Sequence, residues 1–349
     1  MEQLNDLQTM LDRMDCPAFL SQDGQIRAVN RGAEQRMAEP GMAVGELLIT
    51  GQEEYANFTN GSLYVTVSLG GSVYRCTVTK LQDRELFTLD ESTAGKDLQA
   101  LALAAAQLRI PVSELSLELD RLQQSDSELI GMMNQTIHRL QRIIGNMSDA
   151  AAFAEAAPQK SMQEICGLFR EILEKSQVLL SHAGIELQSK LPSEPIYTLA
   201  DGEMLTRAVY NLLSNASKFA TPQKPVEVTL KKVHSKLYLT VCDNGQGVAP
   251  SQRSTMFTRY KRQPGIEDPR YGIGLGMALI HSAAAAHGGT VLVEHPQGKG
   301  TRITMSLSIE KGSGNVVRTP ILRPDLYGGR DPALIELSDV LPHSLYKNK

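Results

Sequence analysis

Asn211-Leu212-Leu213-Ser214-Asn215-Ala216-Ser217-Lys218-Phe219 places two carboxamides and a lysine on one side of a helix. Asn211 and Asn215 are four residues apart and Lys218 follows three later, spacings that share a helix face. A carboxamide oxygen is the hard kind of ligand that an octahedral magnesium ion accepts beside water and phosphate oxygens. A nearby lysine would neutralise phosphate charge. Downstream, the apolar stretch Leu237–Val241 runs into Cys242-Asp243-Asn244-Gly245-Gln246-Gly247. A carboxylate held at a strand end can accept the exocyclic amine of adenine, and glycines beside it let the backbone lie close against the base. Farther on, Gly272-Ile273-Gly274-Leu275-Gly276 opens a helical pattern. Exposed amides and the positive end of the helix dipole suit phosphates there. The spacing is G-x-G-x-G, and Gln263–Tyr271, with Pro264 and Pro269, predicts no strand before it. Both features separate it from a dinucleotide fingerprint. Singly, each pattern is common; their fixed order is what carries weight.

In that order they resemble the histidine-kinase ATP-binding domain. Asn211–Lys218 is similar to its N box, Asp243–Gly247 to its first glycine box, Met256–Arg262 to its phenylalanine box and Gly272–Gly276 to its second glycine box. His287-Gly288-Gly289-Thr290 and Gly298-Lys299-Gly300-Thr301 follow as in that family. The resemblance implies a Bergerat-type α/β sandwich over residues 160–310, the fold shared with gyrase, MutL and heat-shock chaperone ATPases. It implies ATP and Mg as cofactors. Asp243 would bind adenine, with Gly245, Gly247 and Thr301 supporting it. Asn215, together with Asn211, would hold Mg, and Lys218 and Arg262 would contact phosphate. Gly272, Gly274, Leu275 and Gly276 would belong to the lid. The hydrolase and anti-sigma branches resemble each other in carrying Glu where this chain has Asn211. Asn cannot act as a general base at neutral pH, so the chain resembles the histidine-kinase branch.

Upstream, Leu101, Ala105, Leu108, Val112, Leu115, Leu119 and Leu122 alternate steps of four and three. Ile130, Met133, Ile137, Leu140, Ile144, Met147 and Ala151 alternate steps of three and four after the polar break at Gln123–Asp126. These heptads predict a two-helix dimerisation hairpin over residues 96–157. One hairpin cannot enclose its apolar stripe, whereas two form a four-helix bundle, so a homodimer is expected. Ala105-Ala106-Gln107-Leu108-Arg109-Ile110-Pro111-Val112 resembles the family's phosphoacceptor motif, Ser-His-Glu-Leu-Arg-Thr-Pro-Leu. Leu108, Arg109 and Pro111 set the register. Ala106 stands in the acceptor position and Gln107 in that of the neighbouring base. Alanine has no nucleophile, and glutamine cannot take a proton as a carboxylate does. His138, the sole histidine in the bundle, is the candidate substitute acceptor; its plainer reading is a polar residue on an exposed bundle face.

Residues 1–92 read as a sensor domain. Leu63–Leu69 and Val73–Thr79 alternate around Gly70-Gly71, a hairpin pattern. Phe19–Ile26 with its Asp23-Gly24 turn, and Asn30 after it, resemble the start of a PAS-like α/β domain. Residues 311–349 form a Pro- and Gly-containing tail with one short helix, Asp331 as N-cap, Pro332 in the first turn and Leu334–Leu341 as the apolar face.

Hydrophobic residues are 42% and charged residues 21% of the 349. That composition excludes a wholly disordered chain. The net charge of −4 excludes a global pull toward nucleic acid. Cys16, Cys76, Cys166 and Cys242 make no C-x-x-C pair, which fits a reducing compartment. The near-apolar run Leu98–Leu108 is too short for a bilayer, so no membrane span is expected. The whole reads as multidomain α+β: a cytoplasmic, ATP-binding sensor histidine kinase homologue of two-component signalling, defective in autophosphorylation at the usual position. A response regulator or a partner kinase is the expected partner. The alternatives are an active kinase using another acceptor or acting in trans, and a non-signalling ATPase of the same fold.

Overall fold

The computed structural model describes residues 8–14, 16–90, 94–121, 127–155, 157–221, 224–247, 275–296, 300–310 and 331–347. Strands β1 (Ala18–Gln22), β2 (Gln25–Val29), β3 (Ser62–Leu69), β4 (Ser72–Leu81) and β5 (Arg84–Leu89) form an antiparallel array in the order β2-β1-β5-β4-β3. Gly70 and Gly71 both take positive φ, 56° and 78°, between the paired Leu69 and Ser72. That is the two-residue turn whose twist matches flanking strands. Asn30 caps the short helix Arg31–Glu34 by accepting the Ala33 amide, and it also accepts the amide of Ala18.

Helices α1 (Ala94–Arg121) and α2 (Ser127–Glu155) lie against each other. Their heptad positions split into two sets. Ala105, Val112, Leu119, Ile130, Ile137 and Ile144 are buried between the pair, whereas Leu108, Leu115, Met133 and Leu140 are exposed. By length and composition Ala100–Leu119 could cross a membrane. The core helix of a soluble protein meets the same two criteria. The alanines between the heptad leucines lift the mean hydropathy of the helix without making one unbroken apolar run.

The second large unit carries β6 (Ser161–Glu164) paired with β8 (Tyr197–Ala200), and the order β11-β12-β10-β9-β7. Here β7 is Leu187–Lys190, β9 Val226–Val233, β10 Lys236–Cys242, β11 Val291–Glu294 and β12 Arg302–Ser308. Helices α3 (Ile165–Ser181), α4 (Gly202–Phe219) and α5 (Gly276–Ala286) pack against this sheet over Phe169, Leu205, Leu212, Val228, Leu239, Ile280 and Met305. The architecture is mixed α+β, and the four cysteines are free.

Two features join these units. Strand β3 pairs antiparallel with β11, Ser62 opposite Val293 and Tyr64 opposite Val291, which makes one ten-stranded sheet. Strict alternation on β3 would expose Tyr64. Instead it is buried in the core of the second unit, its ring 3.8 Å from that of His281 on α5, while Leu63 and Val65 fill the first core. A strand with a unit on each face is buried on both. The second feature is the tail. Helix α6 (Pro332–Glu336) is capped by Asp331 accepting the Ala333 amide, and a 3₁₀ turn follows at His343–Tyr346. Both pack onto α2, and α6 also touches α3 and α4.

Candidate nucleotide site

The site is built where β10 ends. Asp243 is 7% exposed. Its Oδ1 accepts the amides of Gly245 at 2.9 Å and Thr301 at 3.1 Å, and its own amide donates to the Thr301 carbonyl. Burial pushes the carboxyl up from its ordinary range, and these amide bonds pull the other way. The Gly245 and Thr301 amides thus hold the carboxylate in one orientation. Gly300 closes the loop against Asp243. It takes φ of 74°, and a Cβ there would lie 2.2 Å from the Asp243 carbonyl oxygen, so only glycine closes this loop. A dry, backbone-held carboxylate beside a side-chain-free wall fits an adenine that offers an amine.

The N box occupies α4, capped by Asp201, which accepts the Met204 amide. Asn211 and Asn215 share one side, and Gly276 at the start of α5 lies directly against the Asn211 carboxamide. Asn211 is almost fully buried. Its Nδ2 donates to the Arg207 carbonyl at 3.0 Å, and its Oδ1 accepts from Arg142 Nη2 at 3.4 Å. Asn215 is half-buried and its Nδ2 lies 3.5 Å from Met277 Sδ. Of the two asparagines, Asn215 is the one placed to offer an oxygen to a cation. Asn211 is engaged with a guanidinium. Gly247 lies against the Gly300 carbonyl near Asp243, whereas Leu275, expected in the lid, is buried in one cluster with Val112 and Ile144 of the helical hairpin because it starts the helix that packs there; Arg262, Gly272, Gly274 and the phenylalanine box fall outside the described residues.

Lys218 is not open to solvent. Its Nζ lies 2.6 Å from Asp339 of the tail. Burial lowers its pKa, the charge of Arg142 adds to this, and Asp339 opposes both. Arg142 of α2 also binds Asp339 and lies 3.4 Å from Glu336. Arg207 of α4 binds Glu336, and its Nε is 2.9 Å from Asp149 of α2. Burial raises the Asp149 carboxyl to about 6 against the pull of Arg207. Burial also acts to raise Asp339, yet Arg142, Lys218 and Arg139 hold it below the usual carboxylate range.

Sequence reasoning missed this cluster. One signal was present: Glu336 interrupts the apolar face at Leu334, Ile335 and Leu337. A charge on a buried face implies an opposite charge facing it. His138 also departs from expectation. The plain reading put it on an exposed face; instead it is buried, with Nδ1 2.7 Å from the Asn134 carbonyl and its ring 4.9 Å from that of Tyr346. The tail covers it. His287 is structural: its Nδ1 bonds the Ala283 carbonyl, its Nε2 accepts the Asp201 amide, and burial lowers its pKa.

Residues 200–311 match the family of histidine kinase-, DNA gyrase B- and HSP90-like ATPases. This part of the chain is similar to the ATP-binding domain of sensor histidine kinases. The sensor histidine kinase RppB of Synechocystis is 30% identical over 221 residues, which are 60% of this chain and 49% of that protein. The adaptive-response sensory kinase SasA of Crocosphaera subtropica is 27% identical over 248 residues, 65% of this chain and 63% of that protein. The chain thus spans about half to two thirds of the length of these histidine kinases. Among solved structures, full-length ShkA in complex with AMPPNP superposes with a TM-score of 0.51 at 23% identity, covering 62% of this chain and 47% of that one. That likeness is one of fold.

If Asp243 reads the adenine amine, Asp243→Asn presents a donor to a donor. Affinity for Mg-ATP should then fall by about 1–3 kcal/mol. Equal affinities for the two forms in calorimetry would reassign the residue.

Proposed function

We propose that this histidine kinase homologue binds Mg-ATP and works as a dimeric, cytoplasmic component of two-component signalling that does not phosphorylate itself at the usual position. Asp243, Gly245 and Thr301 would hold the adenine, and Asn215 the cation. Bound Mg-ATP would supply a transferable phosphoryl group. The observation that carries the reading is the pairing of a buried carboxylate, Asp243, held by two backbone amides, with Ala106 and Gln107 on the exposed side of α1. The chain keeps the means to hold a nucleotide and lacks the nucleophile that would receive its phosphate.

The first unit is proposed as a PAS-like sensor; its strand order β2-β1-β5-β4-β3 and the Asn30 cap support that. A response regulator or a partner kinase would be the downstream partner, with the nucleotide state read through the bundle. The competing reading is transfer to another acceptor. His138 is disfavoured for this role because Tyr346 covers its ring. Incubating the full chain with γ-labelled ATP and assaying acid-labile phosphate separates the two. Robust histidine phosphate in the natural sequence would overturn the non-phosphorylating reading.

The exposed half of the heptads supports the homodimer. Leu108, Leu115, Met133 and Leu140 line one side of α1 and α2. Burying the exposed half of each such side chain against a second copy contributes about 1 kcal/mol. Leu108→Glu should shift the full chain from dimer to monomer in sedimentation, because a charge would enter an apolar seam. A dimer that survives this change would place the interface elsewhere.

A further inference from the structure

We propose that residues 331–347 form an intramolecular clasp over the phosphate end of the nucleotide site, with Asp339 and the nucleotide's phosphates competing for Lys218 and Arg142. The inference rests on the nucleotide reading of Asp243 and Asn215 and adds a regulator built from the same chain.

The clasp is held at three levels. At its near end Lys175 of α3 pairs with Asp331 at 2.7 Å. Along its length, side chains of α2 grip the tail backbone. Gln135 Nε2 donates to the carbonyls of Ser338 and Leu341 at 3.0 and 2.6 Å, Arg139 Nε to Ser338 at 3.2 Å, and Asn134 Nδ2 to Tyr346 at 3.0 Å. At its far end the Tyr346 ring covers His138, and its hydroxyl donates to the Leu334 carbonyl at 2.8 Å. Ala333, Leu337 and Leu341 seal it into the apolar core. Between these anchors the two carboxylates reach inward. Glu336 is completely buried against Arg142 and Arg207, and Asp339 lies between Arg142 and Lys218.

That arrangement has a chemical consequence. Lys218 is on the same helix as Asn215, one turn on, and its ammonium is already neutralised by a carboxylate. Arg142 is likewise committed to Asp339, and it also occupies the Asn211 oxygen. A polyphosphate entering beside Asn215 meets cations that carry an anion already, together with the negative charge of Asp339. It binds fully only when Asp339 withdraws. Since Asp339 belongs to a segment held on α2, its withdrawal loosens the link between the nucleotide unit and the bundle. Nucleotide binding and clasp closure are therefore linked, and by reciprocity each weakens the other by the same factor.

The test is calorimetry on the full chain with Mg-ATP and with adenosine. Asp339→Ala should tighten Mg-ATP by about 5- to 100-fold, the usual span of coupling between sites. Adenosine, which has no phosphate, should bind unchanged. Tyr346→Ala removes no charge and leaves the Lys218–Asp339 pair itself in place, so a smaller tightening of Mg-ATP there would mark the clasp itself rather than the loss of one carboxylate. In the natural sequence, saturating Mg-ATP should also raise the rate of proteolytic cleavage within 331–347. Equal Mg-ATP affinity in folded wild type, Asp339→Ala and Tyr346→Ala would overturn the clasp and leave the nucleotide reading intact. Absence of Mg-ATP and adenosine binding in all three would overturn both.

Discussion

A chain carrying Ala106→His and Gln107→Glu should form an acid-labile phosphoprotein with Mg-ATP where the natural sequence forms none. Both positions lie on the exposed side of α1, so the new side chains need displace nothing. Their register on the helix is anchored by Arg109, whose guanidinium donates to Ser148 of α2 at 3.1 Å. Phosphoryl transfer asks little covalent chemistry of a protein: a nucleophile in line with the phosphate, and charge stabilised around it. A neighbouring general base contributes about 10²- to 10⁴-fold. The double variant should therefore exceed Ala106→His alone by a factor in that range. The clasp adds a condition. Combining the double variant with Asp339→Ala should raise the yield again, because more of the chain then holds nucleotide. If the double variant takes no phosphate although calorimetry shows bound Mg-ATP, the bundle does not bring position 106 to the γ-phosphate.

Replacing Arg207 with Leu should destabilise the unit formed by α2, α4 and the tail by about 3–5 kcal/mol, read from the urea midpoint. Arg207 is 2% exposed and stands between Asp149 and Glu336, both buried. Without it, two carboxylates remain in a dry site. Glu336 can leave with the tail, but Asp149 is fixed within α2 and must either ionise unpaired or take up a proton. The pH dependence carries the same signature in the natural chain. The folded-state pKa of Asp149, about 6, lies above the ordinary aspartate value of 3.8. Between those values the folded chain holds a proton that the unfolded chain has lost. This group's contribution is thus fully present below about pH 4 and declines as pH rises to 6. Arg207→Leu should move the upper end of that window to higher pH. A loss under 1 kcal/mol would mean that water reaches the cluster.

Much of the nucleotide end was legible in the chain because its requirements are local. A strand that ends in Asp-x-Gly-x-Gly presents a carboxylate next to bare backbone, and Asp243 accepts amides from Gly245 and Thr301 accordingly. The heptads were legible for the same reason, since a side chain's place on a helix face depends only on its spacing. Spacing did not tell which half of each heptad faces the neighbouring helix and which half stays open.

What the chain did not disclose depends on contacts between residues far apart in sequence. Tyr64 reads as the outward position of an alternating strand, and becomes buried only because β11, more than two hundred residues later, pairs with β3. His138 reads as a surface histidine until Tyr346 lies over it. Lys218 reads as a free cation for phosphate until Asp339 meets it. A pattern of residues records how the chain prefers to bend and which faces are apolar. Which buried charge meets which partner is settled by tertiary packing, because a charge leaves water only where an opposite charge already waits.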